Sequence, residues 1–486
     1  MIEAIKSLLN SLLERYSSFL VFVILPLSLG YLVSRAIVNQ NYYALLLFTI
    51  AIIGFLILKS NILSISIILF LVFAGNWLVS LGYLPAQFNW LVEIIIGLLF
   101  IKAISQKIIN NQKIKLKYLG IFSLFLSVCL ISYLLNNMTL ILSFLFLRLL
   151  GRYYLLYLAV INLDLDEKSM TTLNKILVFL FIIQVPAAVI KLSVYGQGEQ
   201  AIGTYGRSGG GLSTVLPLIT LCFLIAFYFL YKPSKLYIFL AFCFIAFGII
   251  GGKKAIMIFV PILLIFLGIF MKDRFKLVLR YFLIGGLIIF LTGYFSMKFI
   301  RRLNPDRILG GSINLSYLSE YYSRYTTYTS EGKSVGRLAT TKNVFKILKD
   351  SGFENFVFGF GPGSFIETTF SELRTSLKET EGLPIAYGVT GLSWLAIQVG
   401  YFGALVFLFL FYSILKNCIN YYKKEKDLYW KSIGFGMVGF SFVMLLISFF
   451  YNEIFMDDLV PLIYFMLAAF VETRKSQKAS PGKLVD

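Results

Sequence analysis

Residues 138–160 read MTLILSFLFLRLLGRYYLLYLAV, and the charged side chains in this run are Arg148 and Arg152. A helix needs about 20 consecutive apolar residues to cross a bilayer, so the run predicts a membrane-spanning helix. Thirteen other runs of this kind occur along the chain. Together they predict an all-α fold, a polytopic transmembrane helix bundle of about 14 spans, at residues 18–38, 41–59, 62–84, 88–106, 118–136, 138–160, 172–195, 211–231, 235–251, 254–271, 278–298, 387–414, 432–451 and 456–472.

The composition of the whole chain supports this prediction. Of the 486 residues, 58% are hydrophobic and 14% are charged, whereas soluble proteins carry about 25% charged residues. The net charge is +20. Strongly basic chains often bind nucleic acid, but the cytoplasmic loops of membrane proteins are themselves rich in Lys and Arg. The charge therefore indicates a membrane topology, and no nucleic-acid partner is predicted.

The basic loops orient the predicted spans. With the N-terminus in the cytoplasm, the loops rich in Lys and Arg fall on the cytoplasmic side, as the positive-inside rule requires. Residues 1–16 place their apolar side chains on one helical face, which is typical of an interfacial amphipathic helix. The predicted organisation is this amphipathic helix, spans 1–11 over residues 17–298, a large extracytoplasmic loop over 299–386, spans 12–14 over 387–472, and a cytoplasmic tail over 473–486.

The connection over residues 299–386 is unusual because it stays outside, and structureless loops of such length are uncommon. Residues 335–349 have the apolar spacing of a helix. Residues 313–329 place several tyrosines, including Tyr321 and Tyr325, where one helix can hold them. We therefore expect a small helical extracytoplasmic cap over the membrane domain.

Several basic residues lie where the positive-inside rule does not place them. Arg148 and Arg152 are one helical turn apart on one face, and Arg148 lies about 15 Å below the outer surface at about 1.5 Å per residue. A charge at that depth normally faces a cavity or a partner. The others lie in outer connections or at the outer ends of spans: Arg207, Lys253, Lys254, Arg301 and Arg302. Together they predict a cationic cavity that opens outward and binds an anionic lipid headgroup such as a diphosphate.

Four of these residues also have a simpler interpretation. Arg152 can extend to the inner surface, Arg148 can form an ion pair inside the bundle, and Lys253 and Lys254 can reach the outer headgroups. The glycine-rich connection at residues 203–211 can bring backbone amides close to an anion or act as a flexible connector. It is not a nucleotide loop, because it follows no strand and lacks a Gly-Lys-Ser/Thr ending.

Three motifs in the second half of the chain resemble those of the O-antigen polymerase and ligase family. In that family an Arg begins a helix in the large periplasmic loop, a Gly-x-Gly-x-Gly turn follows about twenty residues later, and the next span carries Gly-x-x-Gly. The matching stretches are Gly336-Arg337-Leu338, Phe358-Gly359-Phe360-Gly361-Pro362-Gly363-Ser364-Phe365 and Gly400-Tyr401-Phe402-Gly403. Two earlier stretches, Gly203-Thr204-Tyr205 and Gly252-Lys253-Lys254-Ala255, resemble other motifs of the family.

The resemblance implies a metal-independent, GT-C-type membrane glycosyltransferase at the outer face of the bacterial cytoplasmic membrane. It would polymerise polyprenyl-diphosphate-linked oligosaccharide repeat units into a surface polysaccharide: O-antigen of lipopolysaccharide, capsule or exopolysaccharide. Ligases of the family carry a histidine near the end of the large loop, whereas this chain has no histidine, which favours a Wzy-type polymerase. The expected partners are the lipid-linked oligosaccharides, membrane lipids, a chain-length regulator and a flippase; no cofactor is expected.

The residues present suggest how such a transfer is catalysed. Cations that neutralise the charge developing on the diphosphate can supply much of the catalysis, and Arg337 and Lys254 are the first candidates. A base for the acceptor hydroxyl contributes about 10²–10⁴-fold. Without histidine it is a carboxylate or solvent, with Glu367 the first candidate and Glu320 the second. The expected substrate-binding residues are Arg148, Arg152, Arg207, Lys253, Arg301, Glu320, Tyr321 and Tyr325; the loop motif is Gly359, Gly361 and Gly363; and no metal ligands are predicted.

Other interpretations stay open at the level of the sequence. A lipid-linked oligosaccharide flippase or another transporter would also have many spans and a cationic cavity, although the large outer loop and the lack of an internal repeat disfavour it. A ligase is disfavoured by the missing histidine, and a structural subunit leaves the arginines of the sixth span unexplained. Glu367 and Glu320 can also be solvated loop acids, and the tyrosines can pack within the cap.

Overall fold

The structure of the protein is a computed structural model. It describes residues 59–84, 86–196, 203–204, 211–251, 255–271, 336–365, 389–451 and 453–479, together with Gly54 and single positions between 305 and 334. The chain divides into two compact units, Met1–Ile65 and Ser66–Asp486. The first unit contributes Gly54 and residues 59–65, in which the first helix begins. All other described residues belong to the second unit.

Helices make up nearly all of the regular structure in the described residues. Their bounds are α1 Asn61–Phe70, α2 Asn76–Ser80, α3 Trp90–Ile109, α4 Leu119–Leu135, α5 Leu140–Asn162, α6 Glu167–Tyr195, α7 Leu212–Ala226, α8 Lys235–Ile250, α9 Ile256–Phe270, α10 Arg337–Asp350, α11 Phe353–Phe358, α12 Gly391–Lys424, α13 Leu428–Ser448, α14 Glu453–Met456 and α15 Leu459–Ala479. π-Helical turns at Leu71–Gly75 and Phe227–Tyr231 follow α1 and α7, and a 3₁₀ turn spans Ala86–Asn89. Two short strands, β1 Thr329–Ser330 and β2 Lys333–Ser334, pair antiparallel, with Thr329 opposite Ser334.

Six of the described helical segments are long and apolar enough to cross a membrane. They are Asn61–Val79, Leu140–Asn162, Glu167–Tyr195, Leu212–Tyr231, Gly391–Lys424 and Leu428–Ser448. Three shorter apolar helices lie at Leu119–Leu135, Lys235–Gly248 and Ile258–Phe270. The prediction of a helical membrane protein is confirmed, while the number of 14 spans and the position of the termini stay predictions.

The large loop is described in part. The helix predicted at residues 335–349 is present as α10, and α11 follows it. Whether these helices form an extracytoplasmic cap stays a prediction. Other predicted segments lie wholly or largely outside the described residues: the amphipathic helix at 1–16, the spans at 18–38, 41–59 and 278–298, and most of the helix at 313–329.

Three of the long helices, α6, α12 and α13, begin at side chains that cap their first turn. Asp166 accepts a hydrogen bond of 3.0 Å from the backbone N–H of Ser169, and Thr390 accepts one of 3.1 Å from Ser393. Such caps satisfy amide groups that have no partner within the helix. Because of the Asp166 cap, α6 begins at Glu167, ahead of the start predicted from hydropathy alone.

One end of the bundle is rich in ion pairs. It contains the connections from α3 to α4, from α5 to α6 and from α12 to α13, together with the end of α15, all of which the sequence assigned to the cytoplasm. The pairs are Lys107–Asp164, Lys117–Glu472 at 3.8 Å, Arg474–Glu167 at 2.5 Å and Lys478–Glu425. The side of the membrane that this end faces stays a prediction.

The core of the bundle surrounds α5 and α12. Helix α5 packs against α3 and α15, and α12 packs against α4, α11 and α13. The aromatic side chains of Phe146, Tyr153 and Tyr157 on α5 are buried. The start of α5 and the first half of α12 lie at the end opposite the ion pairs, and the helix that Arg337 begins packs on α12 there.

Candidate functional site

Helix α12 is broken near its start. Val399 has φ −128° and ψ 15°, and Gly400 has φ 68° and ψ 174°, so neither residue is helical. In an unbroken helix each carbonyl accepts a hydrogen bond from the amide four residues later. At this break, the carbonyls of Ile397 and Gln398 accept hydrogen bonds of 2.8 and 3.1 Å from backbone amides of residues 359–363, the glycine turn. The glycine turn thus supplies donors where the helix is interrupted.

The glycine turn approaches its neighbours too closely for side chains to fit. Gly359, Gly361 and Gly363 have φ values of 75°, 105° and 93°, a region that favours glycine. A Cβ at Gly359 would lie 2.5 Å from the backbone nitrogen of Gly400, and one at Gly363 would lie 2.4 Å from the carbonyl oxygen of Leu142. Close backbone packing therefore explains the alternating glycines without any ligand.

Side chains from three helices hold the glycine turn in place. The donors come from the C-terminal cap of α4 and from α5, and an acceptor comes from α12. Asn136 Nδ2 donates to the carbonyl of Gly359 at 3.0 Å, Ser143 Oγ donates to that of Pro362 at 3.0 Å, and the N–H of Gly363 donates to Gln398 Oε1 at 3.1 Å. The turn is therefore a fixed junction between α4, α5 and α12.

Arg337 begins α10 and is held against the end of α13. Its Nε donates a hydrogen bond of 2.7 Å to the carbonyl of Phe450, and its guanidinium lies 4.3 Å from the ring centroid of Tyr451. Further along α10, Val344 and Leu348 pack with residues 396–397 of α12 in one buried apolar cluster. The arginine of the first motif and the break of α12 are thus parts of one packed assembly.

Two arginines of α5 meet two carboxylates within the bundle. The side chain of Arg152 is 8% exposed and pairs with Glu93 of α3, at 2.7 Å, and with Asp458 before α15. Arg148 is 27% exposed; its Nε lies 3.3 Å from Glu93, and its guanidinium is 5.7 Å from the ring centroid of Trp90. This group is formally neutral, so pairing offsets the desolvation of each charge.

The ion pairs decide between structural interpretations of the two arginines. Arg152 does not extend to the inner surface, and Arg148 forms an ion pair within the bundle. A role of either residue in substrate binding stays a prediction.

Glu93 and Asp458 were not predicted as part of the site. An acidic residue within the predicted span 88–106 was the available signal for Glu93, whereas nothing local in the sequence links Asp458 to α5.

The structure describes Gly203 and Thr204 of the glycine-rich connection. Thr204 is hydrogen-bonded to Gln184 of α6. The N–H of Thr204 donates to Gln184 Oε1 at 2.8 Å, and its hydroxyl donates to the carbonyl of Phe73 at 2.7 Å. A Cβ at Gly203 would lie 2.1 Å from the same Gln184 oxygen. The Gly-Thr pair of the motif is therefore explained by close packing and two hydrogen bonds, and Gln184 is a contact that the sequence analysis missed.

Lys191 is a buried cation that the sequence analysis also missed. It lies on the same face of α6 as Gln184, seven residues further on. The side chain is buried, and its ammonium group is 5.3 Å from the ring centroid of Trp77. A lysine within the predicted span at 172–195 was the signal that could have identified it.

The other predicted site residues are not brought into this assembly by the described structure. Glu320 is exposed. Lying outside the described residues are Arg207, Lys253, Lys254, Arg301, Tyr321, Tyr325 and Glu367. In the part of the chain that the structure describes, no group of three or more His, Cys, Asp or Glu side chains is arranged to hold a metal ion.

Comparison with protein-family models, with curated proteins and with solved structures finds no match for the chain. In the described structure, motifs that are distant in sequence nevertheless lie in contact. The glycine turn, the break of α12 and the helix that Arg337 begins pack together, and the group of charges on α5 lies near the same end of the bundle. Guanidinium groups such as that of Arg337 suit the binding of an anionic group.

Proposed function

We propose that this chain is a membrane glycosyltransferase that polymerises polyprenyl-diphosphate-linked oligosaccharide repeat units into a bacterial surface polysaccharide. The observation that carries the proposal is the contact between the motifs on which the family resemblance rests. The glycine turn packs directly on Gly400 of the Gly-x-x-Gly motif, and the helix that Arg337 begins packs on the residues just before it. Motifs that form one assembly support a resemblance better than motifs that share only their order.

The proposed reaction takes place at the outer face of the cytoplasmic membrane. A hydroxyl of the acceptor sugar attacks the anomeric carbon of the lipid-linked glycan and forms the new glycosidic C–O bond. The bond from that carbon to the phosphate oxygen breaks, and the diphosphate leaves on its lipid. The hydroxyl proton passes to a carboxylate or to water. Cations near the leaving diphosphate stabilise its developing charge, which is usually the largest contribution in such transfers.

Arg337 suits this role because its orientation is fixed. The bond from its Nε to the carbonyl of Phe450 and the ring of Tyr451 hold the guanidinium at one place. A positioned group contributes more to catalysis than a mobile one, because less freedom is lost when the transition state forms. The planar guanidinium also matches two oxygens of a phosphate. A lysine would supply the charge without this fork.

The proposal is tested with the full-length protein reconstituted in lipid. The protein is incubated with the polyprenyl-diphosphate-linked oligosaccharide of its source bacterium, and the products are separated by size. We expect a ladder with a spacing of one repeat unit. Arg337→Ala should abolish the ladder and Arg337→Lys should weaken it. Lys346→Ala is the matched control, because Lys346 is an exposed cation on the same helix.

The competing function is tested in the same vesicles by measuring translocation of the lipid-linked oligosaccharide. If the protein moves this lipid across the bilayer, and Arg337→Ala stops that movement, the chain is a flippase and the polymerase proposal is wrong. If the ladder forms equally with Arg337→Ala and the wild type, the assigned role of Arg337 is wrong. Size-exclusion profiles and helix content confirm that each variant is folded.

A further inference from the structure

Both ends of the segment that contains α10 and α11 are tied to the ends of apolar helices of the bundle. At its start, Arg337 donates a hydrogen bond to the carbonyl of Phe450, two residues beyond the end of α13. At its end, the carbonyl of Gly359 accepts a hydrogen bond from Asn136, the C-terminal cap of α4. A helix that crosses a bilayer ends where the hydrocarbon core meets the headgroups. The segment therefore lies at the level of the bilayer interface.

Helix α12 carries a lipid-facing surface next to this segment. Its exposed large hydrophobic side chains recur at spacings of three or four residues, which places them on one face. They are Phe402, Leu405, Phe409 and Tyr412. Because α12 is long and apolar enough to cross a membrane, this face meets lipid. At its upper end the ring of Tyr401 packs against the segment, with centroid distances of 5.9 Å to Phe345 of α10 and 5.1 Å to Phe356 of α11.

The apolar surface continues from α12 onto α10 and α11. Phe345 is 47% exposed, and Phe353, the first residue of α11, is 80% exposed. Leu338 is exposed as well and lies seven residues before Phe345, on the same face of α10. A contiguous exposed apolar patch marks an interaction site. Because this patch of Leu338, Phe345 and Phe353 adjoins the lipid-facing surface of α12, lipid is the partner that matches it.

Basic side chains lie along one side of the apolar patch. Lys342 and Lys349 are both exposed. At about 100° per residue they lie about 60° and about 40° around the helix from Phe345, in the same direction. Residues 337–358 contain four basic and two acidic side chains, so the segment is cationic. Apolar residues beside lysines are typical of helices that lie in the plane of an anionic membrane surface.

We infer that α10 and α11 lie in the bilayer interface and bind anionic phospholipid. Phe345 and Phe353 lie among the lipid chains, and Lys342 and Lys349 contact the headgroup phosphates. Phosphatidylglycerol suits this surface because its headgroup carries a net negative charge, whereas that of phosphatidylcholine is neutral overall. The contact holds the start of α10 at the level of the headgroups. It is a lipid-recognition surface whatever reaction the chain catalyses.

The placement in the interface is tested with the full-length protein in nanodiscs. One bimane label is attached at Phe353→Cys, in a background in which the four native cysteines are replaced with alanine. A nitroxide on a lipid chain quenches the label from the bilayer, and iodide quenches it from water. We expect strong quenching by the nitroxide lipid and protection from iodide, as for a label at Leu405→Cys on the lipid face of α12.

The matched reference is a label at Lys346→Cys. Lys346 is exposed on the same helix but lies about 100° around it from Phe345, beyond Lys342 and Lys349. Its label should be quenched by iodide and little by the nitroxide lipid. If Phe353→Cys does not fold, a label at Leu338→Cys reports on the same apolar patch.

The headgroup preference is measured with the same label at position 353. Nitroxide-labelled phosphatidylglycerol is compared with nitroxide-labelled phosphatidylcholine at equal mole fraction, and we expect the anionic lipid to be enriched at the label. Replacing Lys342 and Lys349 together with glutamine should reduce this enrichment by about fivefold for each lysine. Lys346→Gln should keep it.

Protection from iodide together with an enrichment that depends on Lys342 and Lys349 supports the inference. Iodide quenching at position 353 equal to that at position 346 would overturn it, because the segment would then stand in water above the membrane. Equal quenching by the two lipids, or an enrichment that survives the double glutamine variant, would overturn the anionic-lipid site.

Discussion

Replacing Gly400 with alanine tests the interpretation of the α12 break as a junction with the glycine turn. Gly400 has φ 68° and ψ 174°, a region of backbone space that is essentially limited to glycine. A Cβ at this position would lie 1.9 Å from the carbonyl oxygen of Val357 and 2.1 Å from its carbonyl carbon. These are backbone atoms of α11, so no side-chain rotation can relieve the contact.

The expected loss of stability has two parts. Backbone strain in this region costs about 1–3 kcal/mol in a residue with a side chain. Moving α11 away breaks the hydrogen bonds that the carbonyls of Ile397 and Gln398 accept from the glycine turn, at about 1 kcal/mol each. The sum is about 3–5 kcal/mol, a large fraction of the roughly 5–15 kcal/mol that stabilises a typical protein.

The assay is thermal unfolding of the purified protein in detergent, combined with limited proteolysis of the segment that carries α10 and α11. Gly400→Ala should melt well below the wild type, and its α10–α11 segment should be cleaved faster. Gly120→Ala is the control: a Cβ there would meet nothing within 4 Å, and alanine in a helix is favoured over glycine by about 1 kcal/mol. If both variants melt with the wild type and are cleaved at its rate, the glycine turn does not lock the break of α12.

Three further predictions follow from other contacts. Arg152→Ala leaves two partly buried carboxylates without their shared partner. We expect a loss of up to about 3 kcal/mol, measured by thermal unfolding; an unchanged melting temperature would show that the pairs are absent. Gln184→Leu removes the acceptor of the Thr204 N–H and should cost about 1–3 kcal/mol, which the same assay detects. Burial opposes ionisation of Glu425, but hydrogen bonds from Lys478 and from backbone amides outweigh it and lower the pKa of Glu425 below its usual value of 4.5. A carboxyl with a lowered folded-state pKa stabilises the fold above its unfolded pKa and loses that contribution as pH falls through the folded value. Glu425→Gln should therefore reduce the acid sensitivity of unfolding below pH 4.5.

Hydropathy was sufficient to predict most of the helices that the structure describes, because a spanning helix is specified by a local property, about 20 apolar residues in a row. The ends of the helices were predicted less well. Capping by Asp166 extends α6 into a polar stretch, and α12 continues to Lys424, beyond the apolar core of its span. Both differences come from polar residues that are helical, and hydropathy does not report them.

The site was less predictable because its contacts join distant parts of the chain. The glycine turn was identified, but the glycines gave no sign that they fit against Gly400 and Leu142. The arginines of α5 were identified as unusual, but their acceptors, Glu93 and Asp458, lie 59 and 306 residues away from Arg152. A pairing over such separations is set by how the helices pack, so no local pattern in a single sequence predicts it.

The described contacts separate two kinds of motif residue that a loss of activity alone would not distinguish. The glycines of the turn and Gly400 are explained by backbone distances, so their replacement should reduce activity through folding. The guanidinium of Arg148 is partly exposed and lies beside Glu93 alone among the carboxylates, so its replacement should cost less stability than that of Arg152. Arg337 has two contacts with residues 450–451, and its replacement should affect both activity and stability. A polymerase assay therefore identifies catalytic residues in this protein only when each variant's unfolding is measured beside it.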